Sequence, residues 1–221
     1  NATIQVANHR PDMKKEVYNG TEWKQDAQYG VGDTVPYLTN RGVKGYFEAL
    51  KTPVVVKETE GKKAFHFDGS QLFRSSFSLP ATLQDNAPYT LEAWVLNDSI
   101  AENECVADFT TSHDELEKIM LVNGTEPRCG VINHYGWYED VGYKGMKELT
   151  GRWQHIYICF DGRMEQVYIN GEQVSGKDIQ LLVKPSQFVT LGRNAEGEWP
   201  FTGYLHSLKL WDEYIPLQGR K

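Results

Sequence analysis

The densest cluster of aromatic and polar side chains in this 221-residue chain lies at 133–140, which reads Asn-His-Tyr-Gly-Trp-Tyr-Glu-Asp. Aromatic rings stack on the apolar face of a sugar while neighbouring polar groups hydrogen-bond its hydroxyls. Tyr135, Trp137 and Tyr138 supply the rings, and His134 supplies a polar group. The segment therefore indicates a carbohydrate-binding loop. One alternative stays open, in which Tyr135 and Trp137 pack inward and close the end of the domain.

A second candidate loop follows at 194–199, with the sequence Asn-Ala-Glu-Gly-Glu-Trp. Trp199 is a candidate for stacking on a sugar, and the amide of Asn194 can both donate and accept hydrogen bonds. The alternative is a hairpin turn with Trp199 folded into the protein. We expect Asn194 and Trp199 to complete a carbohydrate site with the first loop.

Catalysis is not indicated by the carboxylates of the chain. Glycoside hydrolysis needs two carboxyl groups at a fixed separation across the scissile bond. The acidic run at 114–117 lies beside Lys118 and suits a solvated face, and Glu92 is a lone carboxylate on its strand. A Gly-x-Ser-x-Gly nucleophile turn and a His-Glu-x-x-His metal motif are both absent from the sequence. We therefore expect a non-catalytic protein with no catalytic residues.

Composition restricts the partners. The net charge of −7 and the pI of about 5.4 disfavour binding to a nucleic-acid backbone. No apolar run approaches the roughly 18 residues that a membrane span needs. Three cysteines cannot all pair within one chain. Cys159 lies in an apolar strand and is expected as a buried free thiol, whereas pairing of Cys105 with Cys129 stays open.

These loops must be carried by strands, and the strand signals are dense. Between 153 and 174, Asp161-Gly162 and Asn170-Gly171 mark two tight turns and predict a three-stranded antiparallel meander. In the segment 89–95, apolar residues alternate with Thr90, Glu92 and Trp94, which take the opposite face.

Further strands are expected at 54–56, 64–67, 104–109, 119–122, 128–133, 188–191 and 203–211, with 71–77 as the strand that returns after 64–67. A short helical turn capped by Ser112 is expected before 119–122. We assign Trp94, Trp153 and Trp211 to the core. Many short strands with regular turns predict an all-β fold, a two-sheet antiparallel β-sandwich of jelly-roll topology. Residues 1–60 are expected as an N-terminal extension that packs on the sandwich domain at 61–221.

A family resemblance rests on four segments that occur in order. They are 64–70 (Ala-Phe-His-Phe-Asp-Gly-Ser), 89–95 (Tyr-Thr-Leu-Glu-Ala-Trp-Val), 151–171 with its Trp-Gln-His and Asn-Gly elements, and the closing strands within 191–211. Together they resemble the concanavalin A-like lectin/glucanase superfamily, in its laminin-G-like jelly-roll branch. Each segment is weak evidence alone, whereas four in this order and spacing are specific.

The resemblance implies an extracytoplasmic lectin-like module, secreted, periplasmic or at the cell surface, that binds a carbohydrate or glycoconjugate. It leaves two alternatives: an adhesion module that binds protein, and a glycoside hydrolase or polysaccharide lyase of the same fold. The Glu-x-Asp-x-x-Glu pattern of the related laminarinase-type enzymes is absent here. A chain that starts at Asn1 is compatible with a mature exported form or with a piece of a longer protein.

The resemblance also raises the possibility of a structural calcium ion. In relatives, the aspartate of the Phe-Asp-Gly turn and an acidic residue in the last strand help to hold it. Asp68 occupies the first position, but His206 occupies the second and removes one hard oxygen donor. Asp68 is therefore the candidate metal ligand, and bracing of the turn by its carboxylate is the alternative.

Overall fold

The computed structural model describes residues 2–7, 16–18, 23–25, 29–43, 45–124, 130–136 and 150–217. Their regular secondary structure consists of short 3-10 turns at Ala81–Leu83 and Glu115–Glu117 and of β-strands joined by turns and loops. The strands are β1 (Thr3–Ala7), β2 (Glu16–Tyr18), β3 (Trp23–Gln25), β4 (Thr34–Val35), β5 (Tyr37–Asn40), β6 (Gly45–Ala49), β7 (Val54–Thr59), β8 (Lys62–Asp68), β9 (Phe73–Ser75), β10 (Tyr89–Asn97), β11 (Asn103–Asp108), β12 (Met120–Gly124), β13 (Gly130–Ile132), β14 (Gln154–Phe160), β15 (Met164–Ile169), β16 (Glu172–Asp178), β17 (Thr190–Leu191) and β18 (Thr202–Trp211). The prediction of an all-β protein is confirmed. In the described ranges, no helix has the length and apolar character needed to cross a membrane.

Sixteen of the strands form one hydrogen-bonded sheet, which folds over into two layers. The front layer has the order β18–β10–β14–β15–β16, with β1 and β8 sharing the other edge of β18 and β7 beside β8. The back layer has the order β5–β6–β9–β17–β11–β12–β13. β1 connects the layers because it pairs in parallel with both β18 and β5. β2 and β3 form a separate hairpin.

The core lies between the layers and follows the alternation of the strands. On β10, Leu91, Ala93 and Val95 are buried in the main cluster, as the sequence predicts. They meet apolar side chains of the back layer, among them Phe47 and Leu121. Because the side-chain period of a strand is two, the intervening residues of β10 face away from this core.

The predicted meander is confirmed as β14, β15 and β16, which pair antiparallel in sequence order. Asn170 and Gly171 have φ values of 52° and 83°, which a two-residue turn of type I′ requires. The carboxylate of Asp161 accepts hydrogen bonds from the backbone N–H groups of Arg163 and Met164. Both turns therefore use the residues that identified them in the sequence.

The prediction of 71–77 as a strand returning along 64–67 is wrong. β9 pairs with β6 and β17 in the back layer and does not pair with β8. The chain crosses between the layers here because Phe73 is fully buried and packs against Phe67 through the core, with ring centroids 6.3 Å apart. The turn before β12 is present, but Asp114 caps it by accepting a hydrogen bond from the N–H of Leu116.

The tryptophan assignments need correction. Trp94 and Trp153 are half-buried on the outer face of the front layer, so their predicted core position is wrong. In the alternation of inward and outward side chains along a strand, each of these tryptophans takes an outward position. Trp211 is buried but lies outside the main core cluster.

The residues before position 60 supply strands to both layers. β1 and β7 join the front layer, and β5 and β6 join the back layer. In β1, Ile4 and Val6 are buried in the main core. The predicted extension thus contributes both hydrogen bonds and apolar surface to the sandwich.

Substitution of two glycines distinguishes the energetic cost of a positive φ from the cost of a steric clash. Gly171 has a positive φ and open space on the side where a Cβ would project, whereas a Cβ on Gly203 (φ 145°) would collide with the carbonyl oxygen of Leu96. We expect Gly171→Ala to lower the free energy of unfolding by about 1 kcal/mol. Gly203→Ala should lower it by about 3 kcal/mol or more, because β18 must move away from β10. Urea unfolding measures both, and equal losses would contradict this packing.

Candidate functional site

A surface pocket with an empty volume of about 420 Å³ lies at one end of the sandwich. Three parts of the chain line it: the segment from the end of β11 to the start of β12, the residues Tyr135 and Gly136, and the loop 194–199. Both stretches that the sequence nominated therefore contribute to one cavity. This volume includes solvent space at the open mouth of the pocket.

Asn194 organises the second loop. Its side-chain oxygen accepts hydrogen bonds from the backbone N–H groups of Glu196 and Glu198, at 3.1 and 2.8 Å. Its backbone N–H donates to the carbonyl of Glu198, and its carbonyl accepts from the N–H of Gly197. Among the residues that the structure describes, the side-chain amino group of Asn194 has no hydrogen-bond partner. That group is available to a ligand in the pocket.

Trp199 and Tyr135 form the aromatic wall. Their rings meet edge to face, with centroids 4.4 Å apart and an interplanar angle of 85°. Both are half-buried and pack on a small apolar cluster of Cys105, Met120, Val122 and Ile132. Trp199 has a φ of 56°, a left-handed conformation that is rare and costly for a bulky residue.

The backbone of Trp199 is held in this conformation by β11. Its carbonyl oxygen accepts a hydrogen bond of 2.9 Å from the N–H of Cys105. Strained backbone of this kind persists where the surroundings fix it, and it concentrates at functional sites. The indole is therefore positioned by the fold at the edge of the pocket.

A buried ion pair forms the base of the pocket. The ammonium group of Lys118 lies 3.3 Å from the Asp108 carboxylate and donates to the carbonyl of Ser112 at 2.7 Å. Asp108 also accepts a hydrogen bond from the N–H of Ala195 at 3.0 Å. Burial raises the pKa of Asp108, while Lys118 and these hydrogen bonds oppose the rise. The pair joins the walls of the pocket, and its charges neutralise each other.

The rim carries acidic side chains. His113 Nδ1 lies 2.5 Å from the carboxylate of Glu196, and both side chains are close to half exposed. Glu198 is exposed beside them. Because the ammonium of Lys118 is committed to Asp108, the pocket is negative overall at neutral pH. This charge disfavours anionic ligands.

The six predicted sugar-binding residues differ in where they lie relative to the pocket. Tyr135, Asn194 and Trp199 lie together at the pocket. Trp137 and Tyr138 lie outside the described residues. His134 is completely buried and does not line the pocket, so the geometry does not offer it to a ligand.

His134 belongs to a buried polar network in the core. Its Nδ1–H donates to the carbonyl of Lys118 at 2.6 Å, and its Nε2 lies 3.0 Å from both carboxylate oxygens of Glu165. Tyr89 and Asn133 also donate to this carboxylate, at 2.5 and 3.0 Å. One ring nitrogen of His134 faces a carbonyl oxygen and the other faces the Glu165 carboxylate, so both nitrogens lie at hydrogen-bonding distance from acceptors.

The network stabilises the ionised form of Glu165. Burial alone would raise the pKa of this carboxyl group. The charge of His134 and the hydrogen bonds from His134, Tyr89 and Asn133 outweigh burial and lower the pKa from 4.5 to about 2. The result is a charged group in the core that depends on every partner.

Asp68, the predicted calcium ligand, is exposed and braces its turn. Its carboxylate accepts hydrogen bonds from the N–H and the hydroxyl of Ser70, and the hydroxyl contact is the main reason that its pKa is lowered. Within the described part of the chain, no group of three His, Cys, Asp or Glu side chains is placed to hold a metal ion. Calcium binding at Asp68 stays a prediction.

Cys105 does not form the disulfide with Cys129 that the sequence left open. Cys105 and Cys159 are buried free thiols, and burial raises the pKa of both. Cys129 lies outside the described residues.

A group of aromatic residues that the sequence did not nominate lies on the outer face of the front layer. It includes Trp94 on β10 and Tyr204 on β18, together with three histidines. The alternation of 89–95 is a signal for it, because this alternation places Trp94 away from the core.

The family of the chain follows from a sequence comparison. A model of the laminin-G-like family Laminin_G_3, of the concanavalin A-like lectin/glucanases superfamily, matches residues 69–216. The chain therefore belongs to this superfamily. No curated protein sequence gives a significant match.

Solved structures show the same fold at low sequence identity. Domain 4 of AbnA, a GH43 extracellular arabinanase from Geobacillus stearothermophilus in complex with arabinotriose, is 20% identical with a TM-score of 0.58, over 74% of this chain and 77% of that one. A Trypanosoma rangeli sialidase mutant that displays trans-sialidase activity is 15% identical (TM-score 0.51; 87% and 32%). The binding domain of botulinum neurotoxin serotype D is 12% identical (TM-score 0.51; 81% and 46%). The chain thus spans about a third of the sialidase and under half of the neurotoxin domain.

The buried network generates a prediction about stability. We expect Glu165→Gln to lower the free energy of unfolding at pH 7 by about 3–5 kcal/mol, because His134 then lacks its buried counter-charge. The lowered pKa means that Glu165 stabilises the fold fully above pH 4.5 and progressively less as the pH falls towards 2.

Urea unfolding at pH 7 and at pH 3 measures this effect. The difference between wild type and Glu165→Gln should shrink at the lower pH. Glu172→Gln, at an exposed position on β16, is the matched control and should have little effect. A difference between wild type and Glu165→Gln that does not change with pH would contradict the buried ion pair.

Proposed function

We propose that this protein is a non-catalytic carbohydrate-binding module whose ligand occupies the pocket formed by Tyr135, Asn194 and Trp199. The observation that carries the proposal is the Trp199–Tyr135 ring pair at the pocket edge, beside the amino group of Asn194, which has no partner among the described residues. The indole stacks on the apolar face of a sugar ring, and the amide donates to a hydroxyl or ring oxygen. The left-handed backbone of Trp199 keeps the ring in place before binding.

The ligand is a neutral sugar. The acidic rim of Glu196 and Glu198 repels carboxylates and sulfates, whereas uncharged hydroxyls hydrogen-bond to it. The affinity is weak, since few polar groups converge on the ligand.

The comparisons support a sugar ligand in general terms. The family is named for lectins and glucanases, and the arabinanase domain was solved with arabinotriose. Since that domain comes from an extracellular enzyme, we extend the proposal to an extracytoplasmic location, secreted, periplasmic or at the cell surface. A lectin role is favoured over protein adhesion because the nominated loops line a concave pocket.

Substitution of Trp199 tests the site directly. We expect Trp199→Asn to weaken binding of a neutral oligosaccharide at least tenfold, or about 1.4 kcal/mol, because the stacking ring is lost. Asparagine tolerates a positive φ, so this variant keeps the loop conformation. Screening against neutral oligosaccharides, including arabinotriose, followed by titration calorimetry gives the affinities.

Two further variants sharpen the test. Asn194→Asp keeps the oxygen that orders the loop but removes the amino donor, and should also weaken binding. Tyr37→Ala removes an exposed ring on β5 that is not part of the pocket lining, and should leave binding unchanged. Sugar affinity that is the same in wild type and Trp199→Asn would refute the pocket assignment.

A further inference from the structure

A second surface carries a band of aromatic rings across the front layer. We define the aromatic face as His66, Trp94, Trp153, His155, Tyr204 and His206, all of which are partly exposed. The rings lie close to one another across neighbouring strands. Centroids are 4.6 Å apart for His66 and Tyr204, and 4.8 Å apart for Trp94 and His155. Trp153 lies 6.5 Å from Tyr204 and 6.2 Å from His206, and so extends the first pair.

The described C-terminal segment packs against the front layer at Thr90 and Tyr157. The hydroxyl of Tyr157 donates to the carbonyl of Ile215 at 2.6 Å, and Thr90 donates to the carbonyl of Glu213. Tyr157 is accordingly only 1% exposed. Trp94 and His155, further along the same strands, retain exposed surface. In the described part of the chain, the aromatic face is therefore partly exposed beyond the residues that the C-terminal segment contacts.

Lysines surround these rings, although the chain as a whole is acidic. The ammonium of Lys62 lies 4.3 Å from the centre of the Trp94 ring. Lys57 is exposed on β7, which pairs with β8, and Lys209 is partly exposed on β18. The carboxylate on this surface, Glu92, is 7% exposed and already contacts His155 at 3.0 Å and Lys209 at 4.0 Å.

Acidic side chains also lie at this surface. Asp68 and Asp98 are exposed near His66, and Glu58 and Glu60 belong to the end of β7 and the turn after it. Among the described charged side chains, the ammonium of Lys62 lies over an aromatic ring of the face, that of Trp94.

Two histidines of the face are neutral at pH 7. Burial, with Lys57 nearby, lowers the pKa of His66. Burial also lowers the pKa of His206, with Lys62 and Lys209 acting in the same direction. These side chains therefore serve as hydrogen-bonding groups for hydroxyls and do not add cations. The positive charge of the surface comes from a few lysines.

We propose that the aromatic face binds an acidic oligosaccharide that carries uronic acid carboxylates. The exposed edges of the Trp94 and Tyr204 rings contact the sugar units, and Lys57 and Lys62 pair with carboxylates. The small number of lysines suits a sugar chain with one negative charge per unit. It does not suit a densely sulfated sugar chain. They are also too few for a nucleic-acid backbone, whose affinity comes from many neutralised phosphates. This site is separate from the pocket, so either can exist without the other.

Binding of an oligogalacturonide and of its fully methyl-esterified form tests the proposal, because esterification removes the charges and keeps the sugar rings. We expect the wild-type protein to bind the acidic form at least tenfold more tightly, with affinity that falls as salt is added. Lys57→Gln/Lys62→Gln and Trp94→Leu should each weaken binding about tenfold. Calorimetry measures the affinities, and thermal unfolding verifies that each variant is folded.

Matched variants separate the two surfaces. Lys51→Gln/Lys184→Gln removes the same charge at exposed positions outside the aromatic face, and should leave oligogalacturonide binding unchanged. Trp199→Asn should also leave it unchanged, whatever its effect on neutral sugars. Equal affinity for the acidic and esterified forms would overturn the proposal. Tighter binding of a sulfated glycan or of a single-stranded oligonucleotide would overturn the uronic acid assignment.

Discussion

The ionised carboxylate of Glu165 sets the strictest constraint in this sandwich. A buried charge is tolerated only where hydrogen bonds and an opposite charge compensate for lost hydration. His134, Asn133 and Tyr89 provide that compensation from other parts of the chain. The carboxylate therefore fixes the positions of β10, β15 and the segment after β13 relative to one another.

This constraint extends from the core to the pocket through a series of contacts. His134 donates to the carbonyl of Lys118, and the ammonium of the same lysine holds Asp108. Asp108 in turn accepts a hydrogen bond from Ala195, in the loop that carries Trp199. His134 is also the neighbour of Tyr135 in the sequence, so the two rings of the pocket wall are both anchored to the same buried charge. A residue that the sequence nominated as a ligand instead positions the residues that line the site.

The two surfaces of the protein have opposite electrostatics. At the pocket, the lysine is neutralised by a buried aspartate, which leaves the rim glutamates to set the local charge. On the aromatic face, Glu92 contacts His155 and Lys209, and Lys57 and Lys62 keep exposed surface. In both places a buried carboxylate has close partners, and the side chains around it set the local charge.

Local sequence determined the strands, the tight turns and the family. Period-two alternation and the pairs Asp161-Gly162 and Asn170-Gly171 depend on backbone geometry within a few residues, so they are readable in one dimension. The sequence also nominated Tyr135, Asn194 and Trp199, because aromatic and amide side chains cluster in Gly-containing loops.

The tertiary structure decided which partners each segment has. Strand 73–75 pairs in the back layer because Phe73 fills the core opposite Phe67, a contact between layers that no local pattern encodes. His134 proved to be a core residue because Glu165, 31 positions away in the sequence, needs its charge. Trp94 proved to be a surface residue because the alternation of its strand outweighs its hydrophobicity. Burial and charge pairing arise from contacts distant in sequence, and these contacts divided the aromatic residues between core, pocket and open face.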